Sequence, residues 1–237
     1  MLKALRYGFK DAIRIVNSAS LVFFSETLFD LRGCGGGDLA EGISVCSDDP
    51  SLQNRLVREI TELRDILMLD ANAIYSRDPA AVSLEEVVYC YPGFFATVCH
   101  RIAHVLYREG ISPMCRFVSE YAHSLTGVDI HPGADIGAGF AIDHGTGIVI
   151  GETASVGSSV SIYHGVTLGA KDIRTASDKC PYKRHPPVGD GCIICANATV
   201  LGRDTVIGVG SLIGAGAVVT RSVPPNSVIY NKNGDLK

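Results

Sequence analysis

The run Asp143-His144-Gly145-Thr146-Gly147 sets an imidazole behind a carboxylate and ahead of two glycines. A carboxylate that accepts from one ring nitrogen fixes the tautomer and raises the basicity of the other. That is what a general base for a hydroxyl requires. The glycines let a ligand approach closely. A second acid, Asp129, stands fifteen residues upstream, and a basic pair, Arg184-His185, lies downstream. A guanidinium fork suits a carboxylate. Acids in one cluster and cations in another together suit a substrate that carries both charges.

These residues need a scaffold, and the sequence supplies one in steps of six. Isoleucines stand at 130, 136 and 142. After a two-residue slip the register resumes at Ile150, Val156, Ile162 and Leu168. It returns at Val188, Ile194 and Val200, and again at Ile207, Ile213 and Val219. Gly, Ala or Ser stands beside most of these positions. Such spacing fits neither a 3.6-residue helix nor simple strand alternation. It predicts a parallel β-helix over residues 128–223, with each hexad one flat side and roughly three hexads to a coil. His144 falls just past Ile142, near a corner where a side chain can leave the coil, and Asp129 falls near one coil away. The slip is assigned to residues 148–149. His144 and His164 then hold the same place in adjacent coils, stacked roughly 5 Å apart. The seven-residue step from Val200 to Ile207 predicts a single-residue bulge near Arg203-Asp204. The longest break, 169–187, is rich in charge (Lys171, Asp172, Arg174, Lys179, Lys183, Arg184 and His185), as expected of a site element.

Upstream, the pattern is helical. Residues 1–24 place Leu2, Leu5, Phe9, Ile13 and Val16 among Lys3, Arg6, Lys10 and Arg14, an amphipathic basic helix expected to pack on its own domain. Gly33-Cys-Gly-Gly-Gly37 and the polar stretch to Asp49 read as a flexible linker. Asp49-Pro50 opens a helix with Leu52, Leu56, Ile60, Leu63 and Leu67 on one stripe, broken at Ser76-Arg77-Asp78-Pro79. Further helices are expected over 83–88, 94–108 and 113–125. The expected architecture is α+β in sequential domains. An α-helical domain spans 1–126 (helix 1–32, linker 33–49, helices 50–126), and the β-helix spans 127–237.

Composition narrows the function classes. The 237 residues are 46% hydrophobic and 19% charged, with a net charge of -4. That balance offers no global attraction to nucleic acid. No apolar run reaches the roughly eighteen residues of a membrane span. The basic residues run through the first apolar stretch instead of preceding it, unlike a secretory signal. A cytoplasmic protein with eight reduced cysteines is expected. Cys192-Ile-Ile-Cys195 has half a zinc-site spacing but no matching pair, so two packed thiols are expected.

Six blocks carry a resemblance. Asp78-Pro-Ala80, Asp129-Ile-His-Pro132, Asp143-His-Gly-Thr-Gly147, Ile150-Gly-Glu-Thr153, Gly165-Val-Thr-Leu-Gly169 and Arg184-His-Pro186 resemble serine O-acetyltransferase, in order, over roughly residues 55–223. The resemblance implies left-handed coils of hexapeptide repeats and acetyl transfer from acetyl-CoA to the hydroxyl of L-serine, the first step of cysteine synthesis. It implies His144 as general base, oriented by Asp129. Asp78 and Asp143 would anchor the serine ammonium, and Arg184 and His185 its carboxylate, with Glu152 in support. Coenzyme A would use backbone groups near Ala170, Ala196 and Ala215, with Lys171 at a phosphate, and no metal is expected. No cysteine or serine is placed to form an acyl-enzyme, so direct transfer in a ternary complex is expected. L-cysteine, differing from serine by sulfur for oxygen, is expected to inhibit. Three flat sides and a long charged loop imply homotrimers with sites between subunits, and the helical domains would pair two trimers into a hexamer.

The chain departs from that family at His164, where glutamine is common in relatives. It also lacks the family's Gly-x-Pro-Ala segment with a long tail and ends in Lys237, where members that dock into a partner sulfhydrylase end in isoleucine; that partner is not expected. Rival readings are a γ-class carbonic-anhydrase-like zinc enzyme using His144, His164 and His185, an acetyltransferase for another hydroxyl acceptor, and an inert assembly module. Asp78-Pro79-Ala80 and the helical domain would have no role in the first, whose histidine spacing also differs.

Overall fold

The computed structural model describes residues 10–19, 39–171 and 182–230. The expectations for residues 1–9, the glycine joint, Asp172, Arg174, Lys179 and the C-terminal residues 231–237 lie outside them. Residues 10–19 form helix α1, which buries Ala12, Ile15, Val16 and Ala19. The expected linker is not wholly irregular: α2 (Leu39–Ile43) lies inside it and buries Leu39 and Ile43. Those two apolar residues are what the polar, glycine-rich context obscured.

Helix α3 (Pro50–Arg77) starts where the sequence indicates, with Asp49 accepting from Ser51 N–H and Pro50 in the first turn. Its buried stripe is Leu56, Ile60, Leu67, Asp70, Ala71 and Ile74. Helix α4 (Leu84–Cys90) is capped by Ser83, which accepts from Glu86 N–H. Then come α5 (Pro92–Arg108) and α6 (Met114–Thr126). Gly127, at φ 70°, ends α6 in the left-handed conformation and turns the chain straight into the first coil. Among the described residues no helix is long and apolar enough to cross a membrane.

From Asp129 the chain winds as a left-handed parallel β-helix of five coils. The first coil is β1 (Asp129–Ile130), β2 (Asp135–Ile136) and β3 (Ala141–Asp143); the second is β4 (Val149–Ile150), β5 (Ser155–Val156) and β6 (Ser161–Tyr163). The third is β7 (Thr167–Gly169), β8 (Pro187–Val188) and β9 (Ile193–Ile194). The last two hold β10 (Thr199–Leu201), β11 (Leu212–Ile213), β12 (Val218–Val219) and β13 (Val228–Ile229), with single bridges at Ile207 and Val223. Stacked coils make three flat sheets: sheet I of β1-β4-β7-β10-β12, sheet II of β2-β5-β8, and sheet III of β3-β6-β9-β11-β13. The hexad residues point inward and are buried, among them Ile142, Ile150, Ile162 and Leu168, each at 1% exposure or less. A buried aliphatic side chain contributes about 1.5–3 kcal/mol, so the column holds itself together. The extra residue after Val200 is absorbed in a turn at Arg203-Asp204, and Ile207 stays inward. Cys192 is buried in the column, Cys195 lies partly buried at a corner, and both are free thiols.

The helices dock on the first coil through a buried ion pair. Arg101 Nε and Nη2 donate to Asp70 at 2.6 and 2.9 Å, with the two side chains 6% and 0% exposed. Arg101 also donates to the carbonyls of Ile136 (3.1 Å) and Gly137 (2.9 Å), while Asp70 accepts from Phe140 N–H (2.9 Å). The pair thereby satisfies backbone groups at the corner between β2 and β3. Gly93 lets α5 lie directly on β3, since a Cβ there would stand 2.6 Å from the Ile142 carbonyl oxygen. Removing one partner of such a pair leaves an uncompensated buried charge, at about 3–5 kcal/mol. Asp70→Ala is therefore expected to lower stability by about that much, read from the urea midpoint. A variant as stable as the wild type would mean that apolar packing alone holds α3 to the coil.

Candidate active site

Asp143 closes β3, half-buried and in register with Tyr163 of the next coil. From Ile142 to Ile150 is eight residues, whereas the equivalent step from Ile162 to Leu168 is six. The two extra residues do not sit at 148–149, as the hexad count suggested. Ile148 is fully buried and Val149 pairs with Thr167, so the surplus falls within 144–147. Gly145 and Gly147 adopt φ of 91° and 82°, and His144 itself φ of 58°. The loop thus pushes His144 off the coil at the corner between sheets III and I, leaving its side chain 73% exposed. His144 Nδ1 lies 3.9 Å from Asp143 Oδ1. The His164 ring of the adjacent coil meets it edge-on, at 5.6 Å between centroids and 60° between planes.

Asp78 arrives from the helices. It caps the C-terminus of α3, accepting from Ala80 N–H at 2.8 Å and from the Tyr91 hydroxyl at 2.5 Å. Those two bonds, with His144 nearby, hold its carboxyl below the usual range, and the same hydrogen bond pushes the Tyr91 hydroxyl up to about 12. A cleft between the end of α3 and sheet III is lined by Asp78 and Asp143 together, with Arg77, Ser161 and Tyr163. Two carboxylates therefore share one cleft beside an exposed imidazole. Asp129 is placed differently: among the described residues no hydrogen bond joins it to His144, and its carboxylate groups with Glu120 and His123 of α6.

Arg184 and His185 occupy another corner, between sheets I and II. Arg184 pairs with Glu152, which also accepts from the Tyr107 hydroxyl at 3.3 Å. Thr153 organises the pair: its Oγ1 accepts the amides of Arg184 (2.7 Å) and His185 (3.1 Å). Its own N–H donates to His185 Nδ1 at 3.1 Å. His185 is only 8% exposed, and burial, then Arg184, lowers its pKa. The ring is thus neutral near pH 7 and carries its proton on Nε2, a hydrogen-bond donor and not the second cation its type suggested. This corner and the His144 corner are one face of the prism apart, roughly 15 Å at about 3.3 Å per strand residue. The three histidines 144, 164 and 185 accordingly do not converge within one chain.

The residues matched to coenzyme A also divide between corners. Ala196 and Ala215 stack in successive coils along the His144 edge, joined by the bond from Gly216 N–H to the Ala196 carbonyl at 2.9 Å. Ala170 and Lys171 lie on the Arg184 edge, where Lys171 Nζ reaches the Thr220 carbonyl at 3.5 Å.

No family model matches the chain. A serine acetyltransferase of Mycobacterium tuberculosis is 52% identical over 167 residues, 70% of each chain. The plasmid serine acetyltransferase of Synechococcus elongatus is 48% identical over 181 residues, 75% of this chain and 56% of that relative's length. The chain belongs to the serine acetyltransferase family. Among solved structures, Entamoeba histolytica serine acetyltransferase isoform 3, in complex with cysteine, superposes with TM-score 0.78 at 32% identity, covering 94% of this chain and 83% of that one. The Brucella abortus enzyme in complex with coenzyme A gives TM-score 0.69 at 32% identity, with coverage of 92% and 78%. The Neisseria gonorrhoeae enzyme in complex with serine gives 0.71 at 32%, with coverage of 95% and 96%.

Sequence reasoning missed several residues that shape this serine acetyltransferase fold's two corners. Tyr91 carried no expectation, although a tyrosine beside Pro92-Gly93 was the available signal. Thr153 lay inside a quoted block without a role. Tyr107 sits on the exposed side of α5 and had no signal at all. Gly151 leaves no room for a side chain: a Cβ there would fall 2.1 Å from the His185 ring. Gly151→Ala is expected to displace His185 and raise the serine KM by tenfold or more while the fold persists by circular dichroism. An unchanged KM would remove His185 from substrate binding.

Proposed function

We propose that this chain transfers the acetyl group of acetyl-CoA to the hydroxyl of L-serine, in a homotrimer whose sites form between neighbouring β-helices. The observation that carries this reading is the convergence of Asp78 and Asp143 beside the exposed His144. Two carboxylates suit an ammonium, and a base at their side suits a hydroxyl on the same small molecule. The carboxylate of that molecule needs a cation, and Arg184 stands a full face away in the same chain. A neighbouring subunit's Arg184 corner, brought against the His144 corner, completes the zwitterion site. Trimers that pair through their helices would make the hexamer.

The chemistry is then a direct transfer. His144 takes the serine hydroxyl proton as the oxygen attacks the thioester carbonyl, forming a tetrahedral oxyanion that nearby donors must stabilise. Collapse breaks the carbon–sulfur bond, and the imidazolium returns its proton to the departing sulfur, giving O-acetylserine and coenzyme A. Asp129 would orient the ring once its carboxylate turns from α6 toward His144. Ala196 and Ala215 mark the edge along which coenzyme A would run, with Lys171 and Ala170 supplied from a neighbouring corner.

His144→Ala is expected to lose on the order of a hundredfold or more in serine-dependent coenzyme A release, as for a removed general base. Arg184→Ala is expected to raise the serine KM strongly. Mixed after unfolding and refolded together, the two variants should recover activity in roughly a quarter of sites, the fraction that random closed rings build from two intact halves. Absence of recovery in refolded trimers would place both halves of the site in one chain. Cysteine presents the same head groups and puts a thiol at His144, so it is expected to compete with serine. Inhibition that persists at saturating serine would count against a shared pocket.

A further inference from the structure

Asp129 has neighbours that acetyl transfer does not use. Gly127 turns the chain back at the end of α6, and β1 begins two residues later, so Asp129 lies against the last helical turns. Glu120 and His123 are three apart on α6 and share a face. His123 Nδ1 lies 3.4 Å from Glu120 Oε2, while the other oxygen of Glu120 is held by Arg116. One ligand atom each from Glu120, His123 and Asp129 falls within 4.8 Å of the other two. Among the described residues nothing donates a hydrogen bond to the Asp129 carboxylate, so two acids and an imidazole face one another with Arg116 bonded to one oxygen only. Solvated separately, such a trio is unremarkable. Three features favour a ligand: the rigid spacing of two donors on one helix turn, the glycine turn that fixes the third, and the guanidinium that orients Glu120 from behind.

We propose that Glu120, His123 and Asp129 form a site for a divalent transition metal, and that a metal held there keeps Asp129 away from His144. Two carboxylate oxygens and one imidazole nitrogen suit zinc or its first-row neighbours, with water completing the shell. Magnesium, which demands oxygen ligands in a strict octahedron, does not fit this donor set. The binding half of the proposal stands on geometry alone, whereas the inhibitory half rests on the acetyl-transfer reading above. On the acetyl-transfer reading Asp129 turns toward His144, so a metal that holds its carboxylate at α6 excludes the catalytic orientation.

The test uses untagged full-length protein and zinc chloride. Calorimetry is expected to show one zinc bound per chain at this site, weakened tenfold or more in His123→Ala, with magnesium giving no comparable heat. In coenzyme A release assays, zinc is expected to slow the wild type, while His123→Ala keeps its basal turnover and resists zinc. Equal zinc binding by wild type and His123→Ala, or no binding by either, overturns the site. Zinc bound to the wild type without loss of turnover, or equal inhibition of His123→Ala, overturns the link to Asp129. A wild type with no serine-dependent release at all would instead sink the acetyl-transfer reading and leave the binding result standing.

Discussion

Asp70 and Arg101 leave water together, and the way they do so determines where the helices can sit on the coils. Each would be costly to bury alone, and burial raises the Asp70 carboxyl pKa against the lowering effect of Arg101; as a bidentate pair they still have donors and acceptors to spare. Those spare groups are used on the corner between β2 and β3, where the Ile136 and Gly137 carbonyls and the Phe140 amide have no strand partner outside the first coil. The helical domain therefore serves as the cap of the β-helix. A parallel stack needs such a cap, because its terminal coil otherwise exposes a row of unpaired backbone groups. From Asp70 the rigid α3 continues about 10 Å to its end at Arg77, at 1.5 Å per residue. Arg77 there bonds the Gly139 and Ser159 carbonyls at 3.3 and 3.1 Å, and Asp78 is delivered over sheet III beside Asp143. The meeting of the two acids, 65 residues apart in sequence, is thus a consequence of the buried pair.

The hexad register was legible because the inward positions of the column are mostly Ile, Val and Leu and the corners favour small residues, so each coil repeats the same signal. Helix α3 was legible in the same way, through its cap and stripe. What the sequence concealed were the places where one residue type serves an unexpected neighbour. Asp70 stands on the apolar stripe between Leu67 and Ile74, a charge in a buried row, yet its partner Arg101 is on another helix and the bonded carbonyls are on the coil. No spacing rule joins those three elements. The slip between Ile142 and Ile150 shows a subtler limit. An eight-residue interval states that two residues are surplus, not which two. Only the burial of Ile148, continuing the column of Val128 and Val166, assigns the surplus to the turn at His144.

That assignment bears directly on the chemistry. In a regular coil the equivalent corner holds His164-Gly165, a tight turn with the imidazole only partly exposed and its Nδ1 buried. Two added residues convert the same corner into a protruding loop and lift His144 into solvent. The loop costs strain, since a non-glycine residue at φ 58° is disfavoured. A scaffold built for uniform packing presents a reactive side chain only by breaking its own period, and the break falls on the acid-imidazole dipeptide.

The separation of the acidic and basic corners follows from the same uniformity. A triangular prism has convex edges, and convex edges of one chain point away from each other. Asp78, Asp143 and His144 on one edge and Arg184 and His185 on another cannot enclose a small molecule, whatever rotamers they adopt. Motif order carries no information about which edge a residue occupies, so only the expectation of sites between subunits hinted that these residues need not meet within one chain. Concavity arises when the edge of one prism approaches the face of its neighbour. A site assembled that way has its two charges fixed by two rigid columns, and its width is set by how closely the β-helices pack. Discrimination for an amino acid would then be a property of the interface, with the length between ammonium and carboxylate measured across two chains.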